Sequence, residues 1–580
     1  MHKRTLEKLL RTIKGEAPAD TVIAGGKIIN VFTNSIEEHR AIAVKDGYII
    51  AVDREANLKA SKKTEIIDAG GRYLCPGFLD GHTHLDSLYP FYEIVPYSLK
   101  GGTTCIVSEC GMVATACGMT AVESFFESTK GYPLRCYFLA PPETPPFPHL
   151  ETAIGLTLQE FERVLKRRDV LGIGEAYWTR VVDGDDRMLS QASLALSLGK
   201  TLEGHAAGAR GAKLSQYAVT GITSCHESTT IEEALEKLRL GIYVMIREGF
   251  VRKELGELSK LKDLNVDKRR IMLVSDVFDA VMLCEEGYLD SIVRRAIEYG
   301  FSPMEAIKMV TINVADYYGL RHLGAIAPLR HADLLFLSDL ESVHVDHVMV
   351  NGEMVVIDGM FKGDVQPYAY HEAMKHTIAA QKVTSAAFCI PASPGRQRVR
   401  VVNVVNDTIT QESDALLEVK DGCLRKDVSR DIIPVAVINR RDERKMGRGF
   451  ISGTGIRNGA FATSVIWDTG NILTAGSSEE DMACAVNRLI ELQGGYVIAR
   501  NGRVIFDFPM PVFSLMPDYG IEQIKEKTKA LDAKMEEIGS KLPRPFLALQ
   551  TIPFTGLPFL RITDKGLADI KNKRLVSLFL

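Results

Sequence analysis

Between residues 76 and 321 the chain alternates short apolar runs with amphipathic stretches. The runs are GFLDGHTH (77–84), TTCIVSE (103–109), RCYFLAP (135–141), VLGIGE (170–175), KTLEGH (200–205), GITSCHE (221–227), GIYVMIRE (241–248) and RIMLVSD (270–276). Between several of them lie stretches with helical periodicity, such as LQEFERVLKRR and STTIEEALEKLRL. Eight buried strands alternating with helices or irregular connections predict a closed parallel (β/α)8 barrel of the TIM type. An open doubly wound sheet is the alternative, but no GxGxxG follows the first strand to support a dinucleotide site.

The flanks carry a different pattern. Residues 20–75 and 332–359 are β-branched runs broken by KDG, GG and NG turns, which predicts short strands and hairpins. Strands on both sides of the barrel predict one small β-sandwich domain built from residues 1–75 and 322–375, with the barrel at 76–321. From 380 to 580 a third, α+β domain is expected. QRVRVVNVV, ALLEVKDG and PVAVINRR read as strands, and EEDMACAVNRLIELQGG as a helix stopped by glycine. YVIARNGRVIFDF reads as a hairpin, and IEQIKEKTKALDAKMEEIGSKL as a long packed amphipathic helix.

Composition narrows the function. At 580 residues the chain is too long for one core, and its 46% apolar and 25% charged fractions are those of a soluble globular protein. A net charge of −4 without a dense basic stripe argues against a nucleic-acid polymer as partner. The start, MHKRTLEKLLRTIKGE, reads as a short amphipathic helix rather than a signal peptide. No apolar run approaches the length of a membrane span. Ten cysteines without CxxC spacing point to a reduced, cytoplasmic compartment. Cys105, Cys110 and Cys117 read as small buried residues.

The last polar residues of the barrel runs carry the chemistry. His82 and His84 end the first run, Glu175 the fourth, His205 the fifth, His226 the sixth and Asp276 the eighth. Alone, HxH is as well read as two surface histidines; residues two apart on a strand share a side, so it also suits one metal ion. All six are metal-ligand types at the end of the barrel where active sites are built. Converging, they would hold two cations, with Glu175 sharing its oxygens between them. Two cations acidify a shared water, and Asp276 could take its proton and pass it to a leaving group. The remaining histidines (2, 39, 149, 322, 331, 344, 347, 371 and 376) are scattered and read as ordinary.

These segments together resemble the amidohydrolase superfamily, and more closely the bacterial adenine deaminases. PGFLDGHTHLDS, VLGIGE, EGHAAG, HESTTIEEALEKLRLGIYVMIREG and EAIKMVTINVADYYGLRHLGAIAPLRHADLLFL carry the resemblance, with EEDMACAVNRLIELQGG in the last domain. It implies hydrolytic deamination of adenine or a related 6-aminopurine, using two divalent ions, Mn2+ or Fe2+ before Zn2+. Position by position, it implies His82 and His84 on one ion, His205 and His226 on the other, Glu175 bridging and Asp276 as ligand and proton shuttle. Glu227, in the HE pair, is a further acid/base or substrate contact, or else a salt bridge. Arg247 and Glu248 are expected to form a structural ion pair. A purine-sized substrate and a homodimer are the expected partners, with no nucleic acid and no membrane.

The chain departs from that resemblance near the pocket. ECGM (109–112) stands where DPHE is usual, SDVFDA (275–280) where TDD is usual, Gly287 and Tyr288 replace a GH pair, and WDTGN (467–471) replaces HDSHN. None of these touches the six ligands. They predict a working centre under a pocket made more apolar by Trp467, Tyr288 and Phe278, open to an altered amino-heterocycle. A cyclic amide hydrolase and a non-catalytic metal-binding relative are the rival readings.

Overall fold

The computed structural model describes residues 3–54 and 60–580; His2 lies outside the described residues. Eight parallel strands pair in chain order: β1 (Phe78–His84), β2 (Thr103–Glu109), β3 (Arg135–Ala140), β4 (Val170–Tyr177), β5 (Thr201–His205), β6 (Ser224–Cys225), β7 (Tyr243–Arg247) and β8 (Ile271–Val274). The ring closes at its polar end. Asp276 N–H donates to the His82 carbonyl at 3.0 Å, and His84 N–H donates to the Asp276 carbonyl at 2.8 Å. β6 is shorter than its apolar run because Gly221, at φ +95°, is still turning the chain into the barrel. His226 therefore falls one residue beyond the last paired position.

Below the mouth lies an apolar layer. Leu79, Cys105, Val107, Leu139, Met245 and Met272, contributed by β1, β2, β3, β7 and β8, are at most 1% exposed and pack on one another. Each such side chain contributes roughly 1.5–3 kcal/mol by leaving water, which makes this layer a rigid floor for the residues above it.

The two flanks meet in one nine-stranded sheet, where Tyr73–Pro76 pairs antiparallel with Leu334–Asp339. Asn351 and Gly352, at φ +52° and +81°, form the hairpin turn that the NG pair requires. Beyond residue 394 a second nine-stranded sheet spans Gly395–Pro509. A helix at Glu479–Leu492 covers it with Met482, Ala485, Val486 and Leu489. The left-handed residue ending that helix is Gln493, at φ +61°, one position before the glycine expected to stop it. The helix Ile521–Glu537 buries Ile524, Leu531 and Met535 along one face. Cys105 and Cys110 are buried, as their apolar neighbours suggest, whereas Cys389 and Cys423 form a disulfide that the spacing did not signal. No helix among the described residues is long and apolar enough to cross a membrane.

This last unit docks against the barrel mouth. Helix α1 (Gly111–Cys117), which follows β2, receives the chain at Gly470, whose φ is +66°. A Cβ there would lie 2.7 Å from the Ala116 Cα, so only glycine permits the approach. The buried Arg440 guanidinium bridges the seam, donating to the carbonyls of Ala116 and Phe513 at 3.3 and 3.2 Å.

Candidate metal centre

All six sequence-selected ligands reach one place at the mouth. The Glu175 Oε1 atom lies 3.3 Å from His82 Nε2, 3.2 Å from His84 Nε2 and 3.1 Å from His226 Nε2. Asp276 Oδ1 stands 3.7 and 3.6 Å from the Nε2 atoms of His82 and His84. The donor atoms form two groups, each with all members within 4.8 Å of one another: His82, His84, Glu175 and Asp276, and Glu175, His205 and His226. Glu175 is common to both. Asp276 adopts φ +60°, uncommon for a residue with a side chain, and its backbone is held there by the hydrogen bonds that close the barrel.

The donor set suits divalent ions. Imidazole and carboxylate are the ligands such ions take from proteins, and His82 Nε2 is buried with no hydrogen-bond partner. The other ring nitrogen, Nδ1, lies 2.9 Å from Glu203 Oε2, which fixes the proton on Nδ1 and frees the Nε2 lone pair for a cation. The charges agree. Burial alone would lower the His84 pKa, but the hydrogen bond and charge of Glu175, with Asp276, carry it to about 10. Burial and the charge of His82 bring His226 down to about 4. A bound cation takes the place of the proton that these carboxylates otherwise retain on histidine.

Glu227 and Arg247 stand at the rim of this centre. Glu227 Oε1 is 2.5 Å from the Arg247 guanidinium, 3.3 Å from His205 Nε2 and 3.6 Å from His226 Nε2. Burial raises the Glu227 carboxyl, yet Arg247 and the two histidines outweigh it and hold it well below the ordinary range. Arg247 also grips Glu254 with two hydrogen bonds, 2.7 and 3.0 Å, and stands 3.4 Å from Asp276 Oδ2. The expected Arg247–Glu248 pair is thus corrected: successive strand residues face opposite ways, and Glu248 turns to Arg295 and the Leu255 N–H.

Three acidic residues were missed. Glu109 ends β2 as the chosen ligands end their strands, and its Oε1 accepts the Glu175 N–H at 3.0 Å. Glu203 precedes His205 by two and so shares its face of β5, a spacing that could have found it. Asp468, beside Trp467, accepts the Tyr177 hydroxyl at 2.7 Å. Burial lifts Glu109 to about 8, and burial with the Glu175 charge lifts Asp468 to about 6.

Over the centre lies a cavity, the concave kind of place where small molecules bind. Met112, Val251, Val277, Trp467, Phe554 and Leu557 supply its apolar walls, and Ser87, Arg252, Thr408 and Asp468 line it alongside the acids and Arg247. The Trp467 ring is nearly parallel to His84, at 13° and 6.4 Å, and its indole N–H donates to Gln550 Oε1 at 2.6 Å. Phe278 and Tyr288, expected here, are instead buried behind the β8 end at 0% and 1% exposure. The Tyr288 hydroxyl donates to buried Asp80, which takes it away from the cavity.

A parallel barrel with this donor set at its C-terminal mouth defines an amidohydrolase-type fold. Residues 73–355 match the amidohydrolase family, and residues 407–574 match the adenine deaminase C-terminal domain. The chain is 37% identical to the adenine deaminase of Moorella thermoacetica, covering 98% of this chain and 97% of that one. Adenine deaminase 1 of Carboxydothermus hydrogenoformans is 34% identical over 97% of this chain and 96% of its own. An adenine deaminase of Clostridium botulinum is 35% identical, covering 98% and 96%. The chain belongs to the adenine deaminase family. Family and donor set together indicate use of divalent metal.

Proposed function

We propose that this protein hydrolyses adenine, or a closely related 6-aminopurine, to hypoxanthine and ammonia. It is then a hydrolase of C–N bonds in cyclic amidines, with a small purine base as substrate. The observation that carries the reading is Glu175 shared between two imidazole–carboxylate groups in a chain that matches adenine deaminases along nearly its whole length.

In this reading His82, His84, Glu175 and Asp276 hold one ion, and Glu175, His205 and His226 hold a second. Manganese or iron is the expected metal, with zinc third. When bound, such ions supply an acidified water as nucleophile at neutral pH. Asp276, fixed by its backbone and by Arg247, would take a proton from the attacking water and pass it to the departing amino group. Glu227, kept ionised by Arg247, accepts a hydrogen bond from the substrate at the mouth. The ring lies along Trp467, and the apolar walls exclude water from the reacting carbon. The reading includes a homodimer in the cytoplasm and the three-domain division at 75, 321 and 380.

The test is ammonia release from adenine, N6-substituted adenines and other amino-heterocycles, using protein loaded with manganese. Hydrolysis of a cyclic amide without ammonia would replace this reading with that of an amidase. Efficient turnover of adenine itself would remove the altered substrate. Asp276→Asn should lower kcat about a thousandfold, and Glu227→Gln about a hundredfold.

A further inference from the structure

Beside the substrate cavity, behind the wall made by His84, Glu175 and Asp468, lies a second, smaller chamber. Glu109, Glu143 and Tyr177 complete its polar lining, so four carboxylates face one space with no lysine or arginine among them. Its free space holds about one water-sized particle. Glu143 follows β3 and is 4% exposed; its Oε1 accepts the Tyr177 N–H at 3.2 Å, while its buried Oε2 has no partner. Opposite, Asp468 Oδ2 receives the Tyr177 hydroxyl. The Arg180 guanidinium, whose charge bears on Glu143, donates to the Pro146 carbonyl at 2.7 Å and to Asp185 at 2.8 Å.

We propose that this chamber is a binding site for the ammonium ion released by the reaction. The inference rests on the deaminase reading above and extends it to the second product. Three observations select the ligand. Its free space, about that of one water, favours a ligand of a single heavy atom over a ring. Apart from His84, whose Nε2 faces Glu175, and Tyr177, whose hydroxyl is given to Asp468, the polar lining is carboxylate, which suits a compact cation that carries only N–H groups. The carboxylates of Glu143 and Asp468 belong to none of the tight donor groups found among the described residues, and the longer contacts of a monovalent ion suit them better than the short ones of a small divalent ion. Burial opposes ionisation of Glu143, and a cation beside it offsets that cost. The chamber shares its wall with the substrate cavity, so the released nitrogen has a short way to travel.

Two measurements on the manganese-loaded, full-length protein test this. Crystals soaked in rubidium chloride should show an anomalous peak between Glu143 and Asp468, absent from Glu143→Gln. Ammonium chloride, compared with sodium chloride at equal ionic strength, should inhibit deamination. In Glu143→Gln its inhibition constant should rise about tenfold, the loss expected for one charged hydrogen bond. Glu143→Asp, which keeps the charge, should fall between the two. Wild-type crystals with manganese at the centre and no rubidium in the chamber would mean that it holds water only, and would overturn the proposal. Equal ammonium inhibition of wild type and Glu143→Gln would overturn it too. Rubidium binding does not depend on turnover, so a failure here is separate from a failure of the deaminase assignment.

Discussion

His82 shows how much one side chain's setting decides. A free imidazole can carry its proton on either nitrogen, and only one tautomer points a lone pair at the Glu175 side. Glu203, buried at 0% exposure and 2.9 Å from Nδ1, makes that choice. Replacing it by leucine removes the acceptor while filling the space. Glu203→Leu should weaken metal retention about 10- to 100-fold, and Glu203→Gln, whose side-chain oxygen can still accept, should recover most of it. Competition with a chelator, read as bound metal per chain, checks this without any assay of turnover. Equal retention by all three proteins would show that Glu203 serves the core alone.

At the scale of elements, β4 is the critical strand. Gly174 precedes the shared Glu175, and a Cβ on it would lie 2.1 and 2.4 Å from the two carboxylate oxygens of Glu109. Glu109 in turn accepts the Glu175 N–H, so β2 and β4 fix the shared carboxylate between them. Gly174→Ala should therefore displace Glu109 and lower kcat by at least tenfold while the barrel still folds. Adding Glu109→Ala clears the clash but leaves the Glu175 N–H without its acceptor, so recovery should be partial. Steady-state kinetics on the single and double variants decide it, and strictly additive losses would contradict the geometry. The strands and the convergence of the six candidate ligands were legible in the sequence because a buried parallel strand is a continuous apolar run and its polar residues sit at the run's end. Glu109 was legible by the same rule and passed over. The two-residue β6 was not, since an apolar run leading into a strand looks the same as the strand itself.

Across the whole molecule, what the sequence could not display is which surfaces meet. Trp467, Asp468, Phe554 and Leu557 come from the last unit and line a cavity built on the barrel, while Phe278 and Tyr288, nearer in sequence to a ligand, turn away. No periodicity encodes such a seam, because its residues are hundreds of positions apart and each is ordinary in its own element. The same seam holds Glu151, on the barrel side, 1% exposed and hydrogen-bonded by the Thr555 hydroxyl, with its Oε2 unpartnered. Burial raises its pKa to about 8, more than the Thr555 hydrogen bond can offset. In the unfolded chain Glu151 loses its proton near pH 4.5, whereas in the folded protein it keeps it up to about 8. Between these values the unfolded state binds fewer protons, so Glu151 makes stability fall as pH rises through the window. Glu151→Gln has no proton to lose. Its stability relative to the parent should be nearly flat below pH 4.5 and should improve steadily to pH 8, by about 5 kcal/mol in all. Thermal unfolding of both proteins from pH 5 to 9, at fixed metal concentration, measures the difference and cancels any common loss of metal. Parallel curves across that range would show that the seam opens enough to hydrate the carboxylate.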